Sequence, residues 1–383
     1  MKTLLTFGLL LSTAAAARAQ DAIGQKDIDK AIFRGLEYLQ DAPSTAGGIG
    51  GNCDELILLA KIVGGSSEKV YEPLLKNVLQ APLEWTYKVA LLAMCLEELD
   101  PTLYQNKIAQ CAQFLVDNQC RNGQWNYGRP TEATKEFKME EPPPKRKAVE
   151  TKGSARDFGK PVREHKKPVR SIAVKQTRQG IDEKGDNSNS QYAALGLRAC
   201  FDANIKLPEE VLQLGRRWWV ESQLPDESGG KAGKDAVISG PFQITKVQGW
   251  NYTSPGGEGQ KAYHSMTAGA VGASVIYQHM LGHDWKKDSV TVAGVNWLAV
   301  HWSVDLNYYY LYALERAGML YGTDKIGDHD WYWEGARVIV PAQKPDGSWG
   351  TREKKEENTW DTCFAILFLK KATRAIATGD TRR

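Results

Sequence analysis

Cysteine, histidine and methionine are scarce in this 383-residue chain, with six of each. Six cysteines scattered over such a length cannot build the dense disulfide framework of a small secreted scaffold. Long hydrophobic runs are as few. The only one, Leu4 to Leu11, is N-terminal and well short of the ~18–20 apolar residues that cross a bilayer, so no transmembrane segment is expected. The formal net charge is only +3, and no sequence-specific nucleic-acid partner is expected. Glycine and proline show no collagen-like period. Against these absences stand 42% hydrophobic residues and 12 tryptophans, enough to bury a sizeable core and to exclude wholesale disorder.

The N-terminus has the plan of an export signal: Lys2, the apolar stretch, then the small-residue site Ala17-Arg18-Ala19. Residues 1–19 are expected to be removed, leaving an exported protein, periplasmic or secreted, with 20–383 as one domain. A retained anchor is the alternative. Between Arg129 and Lys184 stand 16 Lys/Arg against 9 Asp/Glu, so a basic insert interrupts an acidic body. Its triple proline, few aromatics and lack of apolar period predict a flexible segment, because it cannot offset the entropy of ordering. It could hold an anionic surface by counterion release, or serve only as a solvated loop.

Outside the insert one unit recurs. Gln119-Cys-Arg-Asn-Gly123-Gln-Trp125 and Gln343-Lys-Pro-Asp-Gly347-Ser-Trp349 both fit Q-x-x-x-G-x-W, with degenerate copies at Gln40 before Gly47-Gly48 and at Gln223 before Gly229-Gly230 and Gly249-Trp250. The segment before each glycine is amphipathic, as in Ile28, Ala31, Ile32, Gly35, Leu36 and Leu39, and reads as an outer helix. The segment after is apolar nearly all round, as in Val89–Leu96 and Cys363–Leu369, and reads as an inner helix. Twelve helices in six outer/inner pairs are predicted: 27–40/53–64, 68–80/85–99, 104–119/189–203, 208–222/263–280, 287–301/305–320 and 328–343/358–376. Inner members that are apolar all round, with no polar capping repeat at either end, favour closure into a ring over an open solenoid.

These repeats, with Asn187–Leu197 and Asp361–Leu369, resemble the prenyltransferase and squalene-oxidocyclase repeat family over everything but the signal and the insert. The resemblance implies an all-α (α/α)6 toroid, in an exported branch of the family. It also implies that Gln119, Gly123, Trp125, Gln343, Gly347 and Trp349 are structural. The physical reading agrees: glycine permits a sharp turn, the glutamine amide bonds orphaned helix-end groups, and tryptophan packs over the joint. Its enzymatic branches fit poorly. The cyclases' Asp-x-Asp-Asp acid is absent, Asp361-Thr-Cys363 lacks the later histidine of a zinc site, and Cys53-Asp-Glu-Leu56 lacks the glutamine of a thioester. No metal or cofactor is expected.

Chemistry, where present, should sit at the N-termini of the inner helices, whose free N–H groups and partial positive charge suit anionic or hydroxylated ligands. His264, Asp305, Tyr308, Asn189 and Asp361 are the leading residues for a cavity mouth, with Tyr87 and Asn307 beside them; each Asn or Asp could equally be a helix cap. Asp328 and Asp330 around His329 invite an acid/base reading but begin an outer helix, where capping is the ordinary role. His279 and His283, four apart, could share a helix face as metal ligands, but no third ligand is near and a surface pair at the helix end is the plainer reading. Cys53 and Cys363 fall at the starts of the first and last inner helices, and a disulfide between them is expected if the ring closes. The expected role is binding a ligand or partner in the central cavity: a glycan, a peptide or an isoprenoid. The alternative is an enzyme, either a polysaccharide lyase or hydrolase or a divergent terpenoid-cyclase or prenyltransferase relative. A deep cavity with a converging acid–base pair would favour catalysis; a shallow mouth with dispersed polar groups would favour binding.

Overall fold

The computed structural model describes residues 23–40, 54–136, 170–175, 185–227, 246–253, 261–350 and 355–376. The expected signal segment, Cys53 and most of the basic insert lie outside the described residues. Among the described residues the chain is all-α, with twelve helices and four two-residue strands. In chain order the helices pair as α1 (Gln25–Tyr38) with α2 (Asp54–Gly64), α3 (Glu68–Gln80) with α4 (Thr86–Leu99), and α5 (Gln105–Asp117) with α6 (Asn187–Asp202). They continue as α7 (Glu209–Glu221) with α8 (His264–Met280), α9 (Ser289–Val300) with α10 (Tyr308–Tyr321), and α11 (Trp331–Ile339) with α12 (Lys355–Leu369).

Local chemistry sets many of the starts. Asp186, Asp288, Asn307 and Asp330 each accept a hydrogen bond from a backbone N–H three residues on, at 2.7, 2.9, 3.0 and 3.0 Å, satisfying donors that a helix leaves open. The capping role of Asp330 accounts for one member of the Asp328/Asp330 pair. The odd-numbered helices bury one face, as with Ile28, Ala31, Ile32 and Gly35 of α1. The even-numbered ones bury nearly everything: α8 is buried from Ser265 to Gln278 and α10 from Tyr310 to Tyr321. These core helices pack in the order α2–α4, α4–α6, α6–α8, α8–α10 and α10–α12, and α12 packs on α2.

Two elements differ from the sequence expectation. α5 is buried on its outward side as well, because parts of the 129–184 stretch lie against it. Thr131 and the Lys175 backbone N–H both bond Asp117, at 3.1 and 2.8 Å, Gln113 reaches the Ala173 carbonyl at 2.9 Å, and Ile172 is buried. Residues 129–136 and 170–175 of the insert are therefore anchored. The last helix stops at Leu369 instead of 376: Lys371 takes a left-handed φ of 47°, and Ala372 bonds back to the Leu367 carbonyl at 3.0 Å, a turn that ends a helix.

The two heptapeptides, and the degenerate copy formed by Gln223 and Gly249-Trp250, build the same joint three times. The side-chain amides of Gln119, Gln223 and Gln343 donate to backbone carbonyls on the next odd-numbered helix: Val211 of α7 at 3.0 Å, Val290 of α9 at 3.0 Å and Ala31 of α1 at 2.8 Å. The indole N–H of Trp125, Trp250 and Trp349 donates to the carbonyl four residues before each glutamine, at 2.8, 3.0 and 2.8 Å. The backbone N–H of each tryptophan bonds a hydroxyl on the following core helix, Ser190, Thr267 or Thr362. Gly123 and Gly347 have φ of 92° and 87°, and a Cβ there would lie 2.3 and 2.4 Å from the carbonyls of Leu214 and Arg34. Both the backbone angle and the close approach of the next helix require glycine.

Candidate binding site at the N-termini of the core helices

The second residues of α4, α6 and α10 are Tyr87, Ser188 and Tyr309, and their hydroxyls converge. Ser188 Oγ lies 2.6 Å from the Tyr309 hydroxyl and hydrogen-bonds Tyr87 as well. Gln191, one turn into α6, donates its amide to the Tyr309 hydroxyl at 2.8 Å and accepts at 2.8 Å from Arg316 of α10. Arg316 is 2% exposed, with its guanidinium over the rings of Tyr312 and Tyr192 at 4.2 and 5.3 Å. Tyr192 packs on Tyr87 at 4.3 Å between centroids, while Phe364 of α12 packs on Tyr309 and Tyr312 at 5.7 and 5.8 Å. Side chains of four core helices thus fill the space between them, and a hydrogen-bonded chain runs from a buried guanidinium to hydroxyls at the helix starts.

Around this centre stands a rim of half-exposed tyrosines. Tyr127, Tyr252 and Tyr263 are 42, 40 and 38% exposed. The loops that follow two of the joints carry the first two: Trp125-Asn126-Tyr127 and Trp250-Asn251-Tyr252. The first loop lies over the start of α4, with Thr86 N–H donating to the Tyr127 carbonyl at 2.7 Å and Thr86 Oγ1 to the Asn126 carbonyl at 2.6 Å. The second lies over α6, with Asn187 N–H donating to the Tyr252 carbonyl at 2.9 Å and its amide to the Asn251 carbonyl at 2.8 Å. Trp85, edge-on to Tyr127 at 5.3 Å, holds a left-handed φ of 68°. For a bulky non-glycine residue that conformation costs about 1–3 kcal/mol, and the neighbouring Thr86 bonds help to hold it.

Asp186 is the carboxylate of this rim. It caps α6 through the Asn189 backbone N–H at 2.7 Å and takes the Asn189 amide at 2.8 Å, and Tyr252 also bonds it. Burial raises its pKa, against the lowering pull of those bonds. Burial also raises Tyr87, Tyr252 and Tyr309 above the usual tyrosine value and pushes Tyr263 up to about 12. At neutral pH these phenols keep their protons and act as hydrogen-bond donors.

Of the residues singled out from the sequence, Tyr87 lies in the hydroxyl cluster, and Asn189 borders it through Asp186, fully buried with its carbonyl oxygen unbonded. The others sit elsewhere. His264 packs edge-on against Trp297 and Tyr310 at 5.2 Å each, its Nε2 at 2.5 Å from the His301 carbonyl. Asp305 is exposed and accepts from Asn307 N–H at 3.1 Å, and Asn307 is spent as the cap of α10. Tyr308 is buried beside Asp361 and the Gly350 N–H; burial, then Asp361, raises its pKa to about 12. Cys363 is buried in α12, but its expected partner Cys53 lies outside the described residues. Gln191 and Tyr309 are polar residues of inner-helix starts that the sequence does not rank among the leading ones, and Ser188 and Arg316 are not singled out by it at all. The repeated tripeptide Trp-Asn-Tyr at 125–127 and 250–252 was the available signal for two of the three rim tyrosines.

No protein family and no curated protein matches the chain. Among the described residues no group of three His, Cys, Asp or Glu is placed to hold a metal ion, and no helix is long and apolar enough to cross a membrane. The site's own chemistry is therefore the guide to function. It offers aromatic faces, neutral hydroxyl donors and one carboxylate acceptor, with three half-exposed tyrosines beside a packed centre.

Proposed function

We propose that the six hairpins close into an (α/α)6 toroid of the prenyltransferase and squalene-cyclase repeat kind, exported from the cell, and that it is a binding module for a glycan at the tyrosine rim. Closure is supported by the packing of α12 on α2 and by two ties between the last joint and the first helix: Gln343 to the Ala31 carbonyl, and Arg34 to the Lys344 carbonyl at 3.0 Å. The observation that carries the ligand is the rim itself, Tyr127, Tyr252 and Tyr263 standing half-exposed around Asp186 and the Tyr87–Ser188–Tyr309 hydroxyls.

A sugar ring presents an apolar face for stacking and hydroxyls that both donate and accept, and this rim supplies partners for each. An isoprenoid needs a deep apolar pocket. Here the space between the helices holds Tyr192, Tyr309, Tyr312 and a buried guanidinium instead. The enzymatic alternative asks for a base or an acid free to act. The tyrosines stay protonated, and Asp186 is engaged as the cap of α6.

The test is titration calorimetry of the mature protein against neutral and acidic oligosaccharides. Tyr252→Ala with Tyr263→Ala should weaken binding at least tenfold while leaving the melting temperature within a few degrees, since both side chains are half-exposed. Unchanged affinity in that double variant, or saturable binding only of isoprenoids, would overturn the reading.

A further inference from the structure

The opposite ends of the core helices carry a second built surface, and it is already occupied. After α12 the chain turns back, and Ala372–Ile376 follows as a non-helical strap whose first three residues lie against the C-terminal ends of α2, α4 and α6. Thr373 donates its backbone N–H to one oxygen of Glu315 at 2.8 Å and its hydroxyl to the other at 2.7 Å, with Glu315 fully buried in α10. The Arg374 guanidinium bridges Glu97 and Glu98 in the last turn of α4, at 2.6 Å from the latter. Arg198 of α6 donates to the Arg374 carbonyl at 2.7 Å and pairs with Asp202 at 3.4 Å.

We infer that this surface is a groove for an extended arginine-bearing peptide, and that Ala372–Ile376 is its tethered occupant. The contacts are those by which a peptide is read: a backbone N–H, a hydroxyl and a guanidinium each meet a carboxylate. They are also a costly way to fix a permanent plug. Carboxylates at helix C-termini oppose the helix dipole, and well-packed apolar side chains would hold a buried segment as firmly as ion pairs do. The strap brings little apolar surface, two alanines and Ile376. It also underfills its seat. Beside Ala372 and Thr373 a cavity of ≈ 50 Å³ remains, bordered by Leu59, Met94, Leu195 and Tyr312 on its apolar side and by Glu97, Glu98, Arg198 and Asp202 on its charged side. A segment with a larger side chain at the position of Ala372 would fill that space, so the preferred occupant resembles the strap without being identical to it.

This inference stands on the strap contacts and does not depend on the glycan reading. The experiment uses a fluorescein-labelled peptide of residues 370–378 and a second carrying Leu at the position of Ala372, titrated against the mature chain and its Thr373→Ala/Arg374→Ala variant. Loosening the strap should tighten peptide binding at least tenfold over the unaltered chain, the leucine peptide should bind more tightly than its parent, and adding Glu97→Gln and Glu98→Gln should remove binding. A folded strap variant that takes up neither peptide would overturn the inference. Should the variant fail to fold, amide hydrogen exchange on the unaltered chain decides: residues 372–376 are expected to exchange at least tenfold faster than α10, and equal protection would show a permanent plug.

Discussion

The two ends of the core-helix bundle are made of opposite materials. At the N-terminal end the side chains that meet are mostly neutral: phenols, a serine and amides, with the single carboxylate of Asp186 at the rim, one buried guanidinium behind them and three tryptophan joints around them. At the C-terminal end they are charged, with Glu97, Glu98, Asp202 and Glu315 gathered around Arg198, Arg374 and Thr373. Neutral hydrogen bonds and packed rings are insensitive to salt and hold one geometry; exposed parts of ion pairs are screened and exchange partners. The proposed ligand reading rests on the first, more rigid end, and the proposed exchange of segments on the second.

The sharpest way to break this comparison is to remove a joint. Trp349 is fully buried, caps the carbonyl of Ile339 and adjoins the tie to α1, so Trp349→Ala should cost about 3–5 kcal/mol in a denaturant melt. A cost comparable to that of loosening the strap would mean that the two ends are braced alike. Next in size is a pH effect at Glu55, in the first turn of α2. Its carboxyl is 3% exposed with one oxygen unbonded, and burial raises its pKa from 4.5 to about 7 against the pull of Lys88. Between those values the folded chain holds a proton that the unfolded chain has lost, so this group's stabilising contribution is complete below about pH 4.5 and gone above about pH 7. Glu55→Gln should therefore match the unaltered chain at pH 4 and exceed it by up to about 3 kcal/mol at pH 8. Equal melting curves for the two chains at pH 8 would place Glu55 in contact with water.

Much of the scaffold is legible in the sequence because the signals that make it are local. Helix periodicity, Asp and Asn caps and the Q-x-x-x-G-x-W joints each act within one or two turns, and helices stand at all twelve predicted places. The site is less legible, and the misses have a common cause. Asn189 and Tyr308 lead the sequence reading, whereas Ser188 and Tyr309 reach the centre, each one residue away and therefore about 100° round the helix. A helix buried on all sides, such as α10, gives no polar face from which to set that angle. The strap is harder still. Arg374 meets Glu97 and Glu98 across more than 270 positions of chain, and nothing local to Lys371-Ala-Thr-Arg-Ala-Ile376 marks it as anything but the end of a helix.

The smallest predicted effect is the most specific to the neutral end. Tyr309→Phe removes one hydroxyl that takes the Gln191 amide and bonds Ser188, while keeping the ring against Tyr192 and Phe364. Loss of two neutral hydrogen bonds in a buried network should cost about 1–2 kcal/mol of stability. Its signature lies in binding. With Tyr309 gone as an acceptor, the chain from Arg316 through Gln191 no longer reaches Ser188 and Tyr87, so their hydroxyls lose the polarisation that would strengthen them as donors to the proposed ligand. Affinity for a glycan should fall roughly tenfold, about 1.4 kcal/mol, whereas Ser188→Ala, which cuts the same chain one step later, should give a similar loss. If Tyr309→Phe lowers stability but leaves affinity untouched, the hydroxyl chain is a brace for the core, and ligand recognition falls to the outer tyrosines alone.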